Sequence, residues 1–382
     1  MVAQTVETPD ERGRYPHKLN FFCTFTPPKK TGINRLTEGA NLTKTAVVIL
    51  NWNGRKFLKK FLPNVLKNTG TDAEVIVADN GSTDSSLEFM EEHFPQVRVI
   101  QNITNGGFAK GYNDALREIE ADYYVLLNSD IEVTPNWVKP VIDFMEKDPM
   151  IAACQPKLRS YHRRDYFEYA GAAGGFIDRW GYPYCKGRLF SHLEKDEGQY
   201  DQPGEIFWAS GACMFVRADL YWKFGGLDED FFAHMEEIDF CWRLKNGGYK
   251  IMYIPESVVY HVGGGTLPKV SAFKTYLNMR NNIVMLYKNL PKERIIPVIT
   301  FRFFFDLIAS IKFLFDGGIK DFFAVLRAQF SFIKRIKRNL SKRNHVPHKK
   351  EIQGMYKGSI VIEHFLKRKK SFSELDPKKL SS

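Results

Sequence analysis

The chain has 382 residues, 44% of them hydrophobic and 14% aromatic, which is enough to bury a full core plus an appendage and excludes a disordered or low-complexity chain. Its 55 Lys and Arg against 44 Asp and Glu are unevenly placed: residues 291–382 hold 21 basic and 8 acidic side chains, and the rest of the chain is slightly acidic. Five scattered cysteines without a CxxC pair argue against a disulfide framework or a zinc site and fit a reducing, cytoplasmic compartment.

Residues 1–42 are rich in Pro, Thr, Lys and Glu without an apolar period and read as a disordered extension, with the natural start expected near Leu42. No basic segment followed by an apolar core and cleavage site marks a secretory signal there. From Thr45 the pattern alternates: strand 46–51, helix 55–68, strand 74–79, helix 83–93, strand 97–101, helix 107–119, strand 123–128. Near-continuous apolar strands between amphipathic helices predict an α/β domain over residues 43–266, a mostly parallel sheet with helices on both faces. Ligands of such sheets lie beyond the carboxyl ends of the strands. Those ends read Asn51-Trp52-Asn53, Asp79-Asn80 and Asn128-Ser129-Asp130, which makes these polar residues candidates for a site. The pattern weakens through a Gly/Tyr-rich stretch at 160–205, and residues 267–382 read as a helical, aromatic and basic region.

Five motifs carry the chemistry. In "VADNGSTDSS", Asp79 is placed to accept the N3 hydrogen of a uracil or thymine ring, whereas an Asn80-Gly81 turn and a helix cap at Ser82 or Thr83 account for the rest. In "NITNGGFAKGYNDAL", Gly107 and its neighbours open a helix whose free N–H groups attract phosphate, with Asn105 and Asn113 as polar candidates for the nucleotide or as local turn and helix residues. The densest acidic cluster, "HMEEIDFCWR", sets Glu236, Glu237 and Asp239 among aromatic and apolar residues, where the ionised form is disfavoured and a general base is well served. "VVYHVGGG" puts His261 at a strand end, as a metal ligand or a structural histidine, and "YLNMRNN" presents Arg280 either to a diphosphate or to the sheet.

Taken in order, "VVILNWNG", "VADNGSTD", "NGGFAKGYN", "LLNSDIEV", "SGACMFVRADL" with "GGLDEDFF", "EEID" with Arg243, and "YHVGGGT" resemble the family 2 glycosyltransferases, in the bacterial branch related to rhamnosyl- and galactofuranosyl-transferases. The resemblance covers residues 45 to about 290. It implies a GT-A fold, a UDP- or dTDP-sugar donor, a divalent cation (Mg²⁺ or Mn²⁺) and inversion at the anomeric carbon. It further implies Asp79 as the base-binding acid, Asp130 as the second acid of an Asp-x-Asp metal motif, Glu237 as the catalytic base and His261 as a metal ligand. Two departures stand out: Asn128 replaces the first acid of the metal motif, and Glu237 stands where the family often has Asp.

In the tail, "FRFFFDLIASIKFLF" and "FFAVLRAQFSFIKRIKRN" interleave aromatic and aliphatic residues with Arg and Lys at helical spacing. Arg302, Asp306 and Lys312 argue against a spanning helix, since a charge at the bilayer centre costs about 2.5–3.5 kcal/mol. The apolar face is too continuous for a phosphate-tracking groove, so nucleic acid is not expected; an anionic membrane surface is, with packing on the catalytic domain or on a second subunit as the alternative. The sequence therefore predicts a peripheral enzyme at the inner face of the cell membrane that glycosylates a glycan or lipid-linked acceptor in envelope polysaccharide synthesis. The alternatives are a membrane-docked sugar-binding protein with a decayed core and a sugar-phosphate nucleotidyltransferase. "NWNGRKF" lacks the glycine-rich basic loop that the latter requires.

Overall fold

The computed structural model describes residues 44–263, 271–316, 318–345 and 347–381. The expectations for residues 1–42, and for the glycines at 264 and 265, lie outside them. The first half of the chain runs β1 (Thr45–Asn51), α1 (Arg55–Thr69), β2 (Glu74–Asp79), α2 (Ser86–His93), β3 (Arg98–Gln101), α3 (Gly107–Leu116), β4 (Tyr123–Asn128), β5 (Ile131–Val133), α4 (Lys139–Glu146) and β6 (Ile151–Ser160). Short strands follow, β7 (Gly175–Asp178), β8 (Pro183–Cys185), β9 (Arg188–Leu189), β10 (His192–Leu193) and β11 (Gly204–Ile206), then β12 (Cys213–Arg217), α5 (Ala218–Lys223), α6 (Glu236–Asn246) and β13 (Lys250–His261). The remainder is α7 (Ala272–Asn289), α8 (Lys292–Asp316), α9 (Ile319–Lys334), α10 (Ile336–Asn344) and β14 (Met355–Tyr356).

The main sheet has the order β11-β13-β6-β12-β4-β1-β2-β3, with β5 on β13. β3, β2, β1 and β4 are parallel, as the apolar runs predict, while β12 pairs antiparallel with both β4 and β6 and makes the second half mixed. Both faces are covered: Ala46 and Val48 of β1 enter one core cluster and Val47 and Ile49 the other. Register brings the polar strand ends level, Asn51 opposite Asp79 and Leu50 opposite Asn128, so the loops that follow them share one edge of the sheet. α2 starts three residues later than its periodicity predicts, because Asp84 Oδ1 accepts the Ser86 N–H at 3.1 Å and closes a turn there first.

The stretch 160–205 is a second, five-stranded sheet, β10-β9-β8-β7-β14, closed by the tail strand β14 lying parallel to β7. The helical tail packs against the same body. Arg302 and Asp306, 2% and 1% exposed, pair with each other at 3.0 Å, and Arg302 lies 4.0 Å from the Tyr182 ring and donates to Asn282 Oδ1. Two of the three charges that argue against a spanning α8, Arg302 and Asp306, thus face the protein, whereas Lys312 is exposed. Its other side exposes Ile296, Phe304, Leu307, Ile308 and Ile311, and α9 exposes Phe323, Phe330 and Ile333. No described helix is long and apolar enough to cross a membrane.

Candidate active site

The loops after β1 and β2 hold each other. Asp79, 1% exposed, accepts from Asn51 Nδ2 at 3.0 Å through one oxygen and from the Ser82 N–H at 2.8 Å through the other. Asn53, in the left-handed region at φ 49°, accepts the N–H groups of Thr83 at 2.7 Å and Asp84 at 3.2 Å. Asn80 donates to Asn105 Oδ1 at 3.1 Å and to the Gly107 carbonyl at 3.0 Å, and Asn102 donates back to Asn80. Of these, Asn80, Asn105 and Gly107 line a cavity of about 1070 Å³, together with Leu50 and Trp52; Asn51 and Asp79, both buried, and Asn53, which is exposed, do not line it.

Gly107 has φ 84°, and a Cβ there would lie 2.3 Å from the Phe232 carbonyl oxygen, which accepts the Phe108 N–H at 2.6 Å. Gly107→Ala is expected to cost about 1–3 kcal/mol, from the left-handed backbone and the clash together. A denaturant midpoint equal to that of the wild type would contradict this.

Across the cavity, Asn128, Asp130 and His261 come together. His261 Nε2 lies 3.2 Å from Asp130 Oδ1 and 3.5 Å from Asn128 Nδ2, and its Nδ1 lies 3.3 Å from Glu168 Oε1. Burial would strip the imidazole of its proton, but Glu168 and Asp130 outweigh it and hold its pKa near 10. Burial likewise pushes the Asp130 carboxyl up, and the facing His261 with the Gly263 N–H brings it below its ordinary value. Glu168 is the residue that the sequence did not reveal: it is 5% exposed, in a Gly/Ala-rich loop without any period.

The divalent cation that the sequence resemblance implies would fall to Asp130 and His261 of this group. Among the described residues no cluster of three or more His, Cys, Asp and Glu is arranged around one point. Asp130 Oδ1 and His261 Nε2, 3.2 Å apart, with the far nitrogen of the histidine backed by Glu168, would suit a cation that displaces the Nε2 proton and takes its remaining ligands from substrate phosphates.

The third wall is the loop into α6. Phe232, His234 and Met235 all have positive φ, 65°, 71° and 74°, a strained run that leads directly into Glu236. Asn281 of α7 holds it, its Nδ2 lying 2.9 Å from the carbonyls of Phe231 and Ala233 and 2.7 Å from that of His234. Arg280 also serves this loop, donating to the carbonyls of Asp230 at 2.8 Å and Phe231 at 3.0 Å, and it does not line the cavity. Asn113 lies apart as well: it donates to the Leu227 carbonyl at 2.8 Å and accepts from the Tyr221 hydroxyl at 2.7 Å.

Glu236 and Glu237 both line the cavity, each with a buried Oε2 that has no protein partner. Burial lifts the Glu237 carboxyl to about 7 although nearby backbone N–H groups pull it down. Burial and the charge of Glu237 push Glu236 well above the carboxylate range. Asp239 points elsewhere: it is fully buried, accepting from Arg243 Nε at 2.9 Å, Lys288 Nζ at 2.9 Å and Asn289 Nδ2 at 2.8 Å. The sequence grouped it with the catalytic acids; the structure makes it the centre of a buried charge network that fastens α6 to α7.

Three comparisons bear on this arrangement. Residues 46–225 match the family model described as glycosyl transferase family 2. The N-acetylglucosaminyl-diphospho-decaprenol L-rhamnosyltransferase of Mycobacterium tuberculosis is 25% identical over 233 residues, 56% of this chain and 75% of that one. The chondroitin synthase of Escherichia coli is 32% identical over 132 residues, 33% of this chain and only 19% of the synthase. Among solved structures, that of GalNAc-T7 with UDP, GalNAc and Mn²⁺ aligns with a TM-score of 0.53 at 17% identity, over 81% of this chain and 59% of that one, a likeness of fold.

Proposed function

Residues 46–225 are a glycosyl transferase family 2 domain with a GT-A fold, and on that premise we propose that the protein transfers a sugar from a UDP- or dTDP-sugar to a hydroxyl of a glycan or lipid-linked acceptor, with inversion. The observation that carries this reading is Glu237: a carboxyl lifted to about 7, its Oε2 unpartnered, in the cavity that Asn128, Asp130 and His261 also line. As the carboxylate, Glu237 takes the proton of the acceptor hydroxyl while that oxygen attacks C1 of the sugar from the face opposite the nucleotide. Asp130 and His261 would hold a divalent cation, which when bound supplies positive charge to the departing diphosphate. Asn128 contributes a hydrogen bond without a charge, so the site gains its full ligand set only with the donor in place. Asp79, its two oxygens already engaged, holds the turn, and the base of the nucleotide meets the surface this turn supports: Leu50, Trp52 and Asn80. Asn105 and the Gly107 backbone continue that surface. Arg280 acts on the base-bearing loop and not on the diphosphate.

The acceptor class draws support from the relative named for a diphospho-decaprenol substrate and from the exposed apolar side of α8 and α9, beside which Lys320, Lys334 and Lys337 are exposed. In this reading residues 267–382 dock the catalytic domain, residues 43–266, onto the anionic inner face of the cell membrane. The full chain is expected to float with vesicles containing anionic lipid, and Phe304→Asp with Ile308→Asp to lower the bound fraction severalfold. Equal flotation of the two proteins would contradict the docking face.

A panel of UDP- and dTDP-sugars with Mn²⁺ or Mg²⁺ and a lipid extract tests the function itself. One donor is expected to release nucleotide in a manner that depends on both cation and extract. No release from any donor would favour the binding-protein reading.

A further inference from the structure

Arg188 of β9 lines the same cavity but plays no part in the chemistry above. It is 7% exposed, so its guanidinium has lost most of its water. A buried cation is ordinarily paired with a carboxylate. Among the described residues Arg188 makes no ion pair: Nη1 donates to the Phe190 carbonyl at 3.1 Å, Nη2 to Cys185 Sγ at 3.3 Å, and Nε has no partner. Its plane lies 4.4 Å from the ring of Tyr169, which also lines the cavity. Glu168 acts on it electrostatically, but that carboxylate is engaged with His261 and the Ala170 N–H.

The surroundings are cationic as well. Arg163 and Lys274 line the cavity and form no ion pair among the described residues, whereas Asp130 and Glu168 are both held by His261. The two remaining acids of the wall, Glu236 and Glu237, are favoured in their neutral forms by burial. The wall formed by the second sheet therefore carries a desolvated, fork-shaped donor set with no anion to satisfy it. Guanidinium groups in that state match the paired oxygens of a phosphate or carboxylate.

We propose that Arg188 is the recognition residue for an oxyanion on the acceptor, a phosphate or a carboxylate, which enters the cavity and completes its hydrogen bonding. The inference rests on the glycosyl-transfer reading only in assigning this anion to the acceptor. Two sources offer the same chemistry, a diphosphate linking the acceptor sugar to a lipid and the carboxylate of a uronic acid.

Equilibrium binding to the full chain separates them, with a short-chain prenyl diphospho-sugar, an alkyl uronoside and the neutral alkyl glycoside of the same sugar as probes. One of the two anionic probes is expected to bind about tenfold more tightly than the neutral one. Arg188→Met should abolish that preference, Arg188→Lys should retain part of it, and UDP binding with Mn²⁺ should change by less than about twofold in either. Wild-type protein that binds all three probes alike would overturn the proposal. So would an Arg188→Lys or Arg188→Met protein that loses affinity equally for all three, or that loses UDP to the same degree. If no donor is turned over in the panel above, the transfer reading fails, while this binding comparison still decides the role of Arg188.

Discussion

Glu237→Gln is expected to lower sugar transfer by about 10²–10⁴-fold while leaving the fold intact, the range seen when a positioned general base is removed. The amide fills the same space, and the lost atom is an oxygen that has no protein partner. Stability should even improve at high pH. The folded-state pKa of Glu237 is raised from 4.5 to about 7, so between those values the folded chain binds more protons than the unfolded one. Stability from this group is therefore greatest below about 4.5, declines as pH rises through about 7 and is flat above. The Gln variant, free of that decline, should melt higher than wild type at alkaline pH and not at acid pH. A variant that is inactive and also less stable at alkaline pH would assign Glu237 to structure instead.

Asp239→Ala should do the converse. Its carboxylate is shared by Arg243, Lys288 and Asn289, all buried, and its removal leaves two cations with too little negative charge. Breaking one partner out of such a network costs about 3–5 kcal/mol, most of it the penalty of the unpaired charges left behind. Asp228 limits the loss because it also contacts Lys288, at 2.7 Å, and Lys342. The measurement is the denaturant midpoint of Asp239→Ala, with Asp239→Asn as the isosteric control. A loss under about 1 kcal/mol would place the stability of the α6–α7 junction elsewhere. Together the two substitutions separate neighbouring acids that look alike in the sequence.

That separation was partly legible. Successive residues of a helix are turned by about 100°, so Glu237 and Asp239 project to opposite sides of α6, and only one of them could face a cavity. The strand-end half of the site was readable because β1, β2 and β4 are largely buried on both faces: their apolar runs place Asn51, Asp79 and Asn128 at one sheet edge. The sequence did not reveal which polar residues at that edge face outward. Asn53, Asp79, Asn113 and Arg280 have the residue types of ligand contacts, yet each spends its hydrogen bonds on a neighbouring loop. Asn80 and Asn128, of the same type, reach the cavity.

The cavity wall formed by the second sheet was not readable at all. β8 to β10 are two or three residues long, too short for a period, and their sheet is completed by Met355–Tyr356 from the far end of the chain. Arg188 is placed by the pairing of β9 with β8 and β10, and Glu168 by its contacts with His261 and the Ala170 N–H. The tail gave the opposite lesson. Arg302 and Asp306 read from composition as a charge burden on a membrane face, whereas their i,i+4 spacing lets them neutralise each other against the protein and leaves the outer face of α8 apolar.

In the proposed reaction Glu237 is a base whose carboxyl, lifted to about 7 by burial, titrates near neutrality. Glu236 on its own helix, His234 in the loop before it, Lys274 of α7, Asp130 with His261, and Arg163, Glu168 and Arg188 line the same cavity. Burial and the charge of Glu237 push Glu236 well above the carboxylate range, and His234, held down near 4 by burial and Lys274, loses its proton well below the pH at which Glu237 titrates. The direct measurement is the pH dependence of kcat at saturating donor and acceptor, for wild type and Glu237→Gln. Wild-type kcat is predicted to rise with pH along a limb centred near 7, and the residual rate of the variant to lack that limb. A wild-type rate that is flat across this range, or a limb that survives unchanged in Glu237→Gln, would contradict the account.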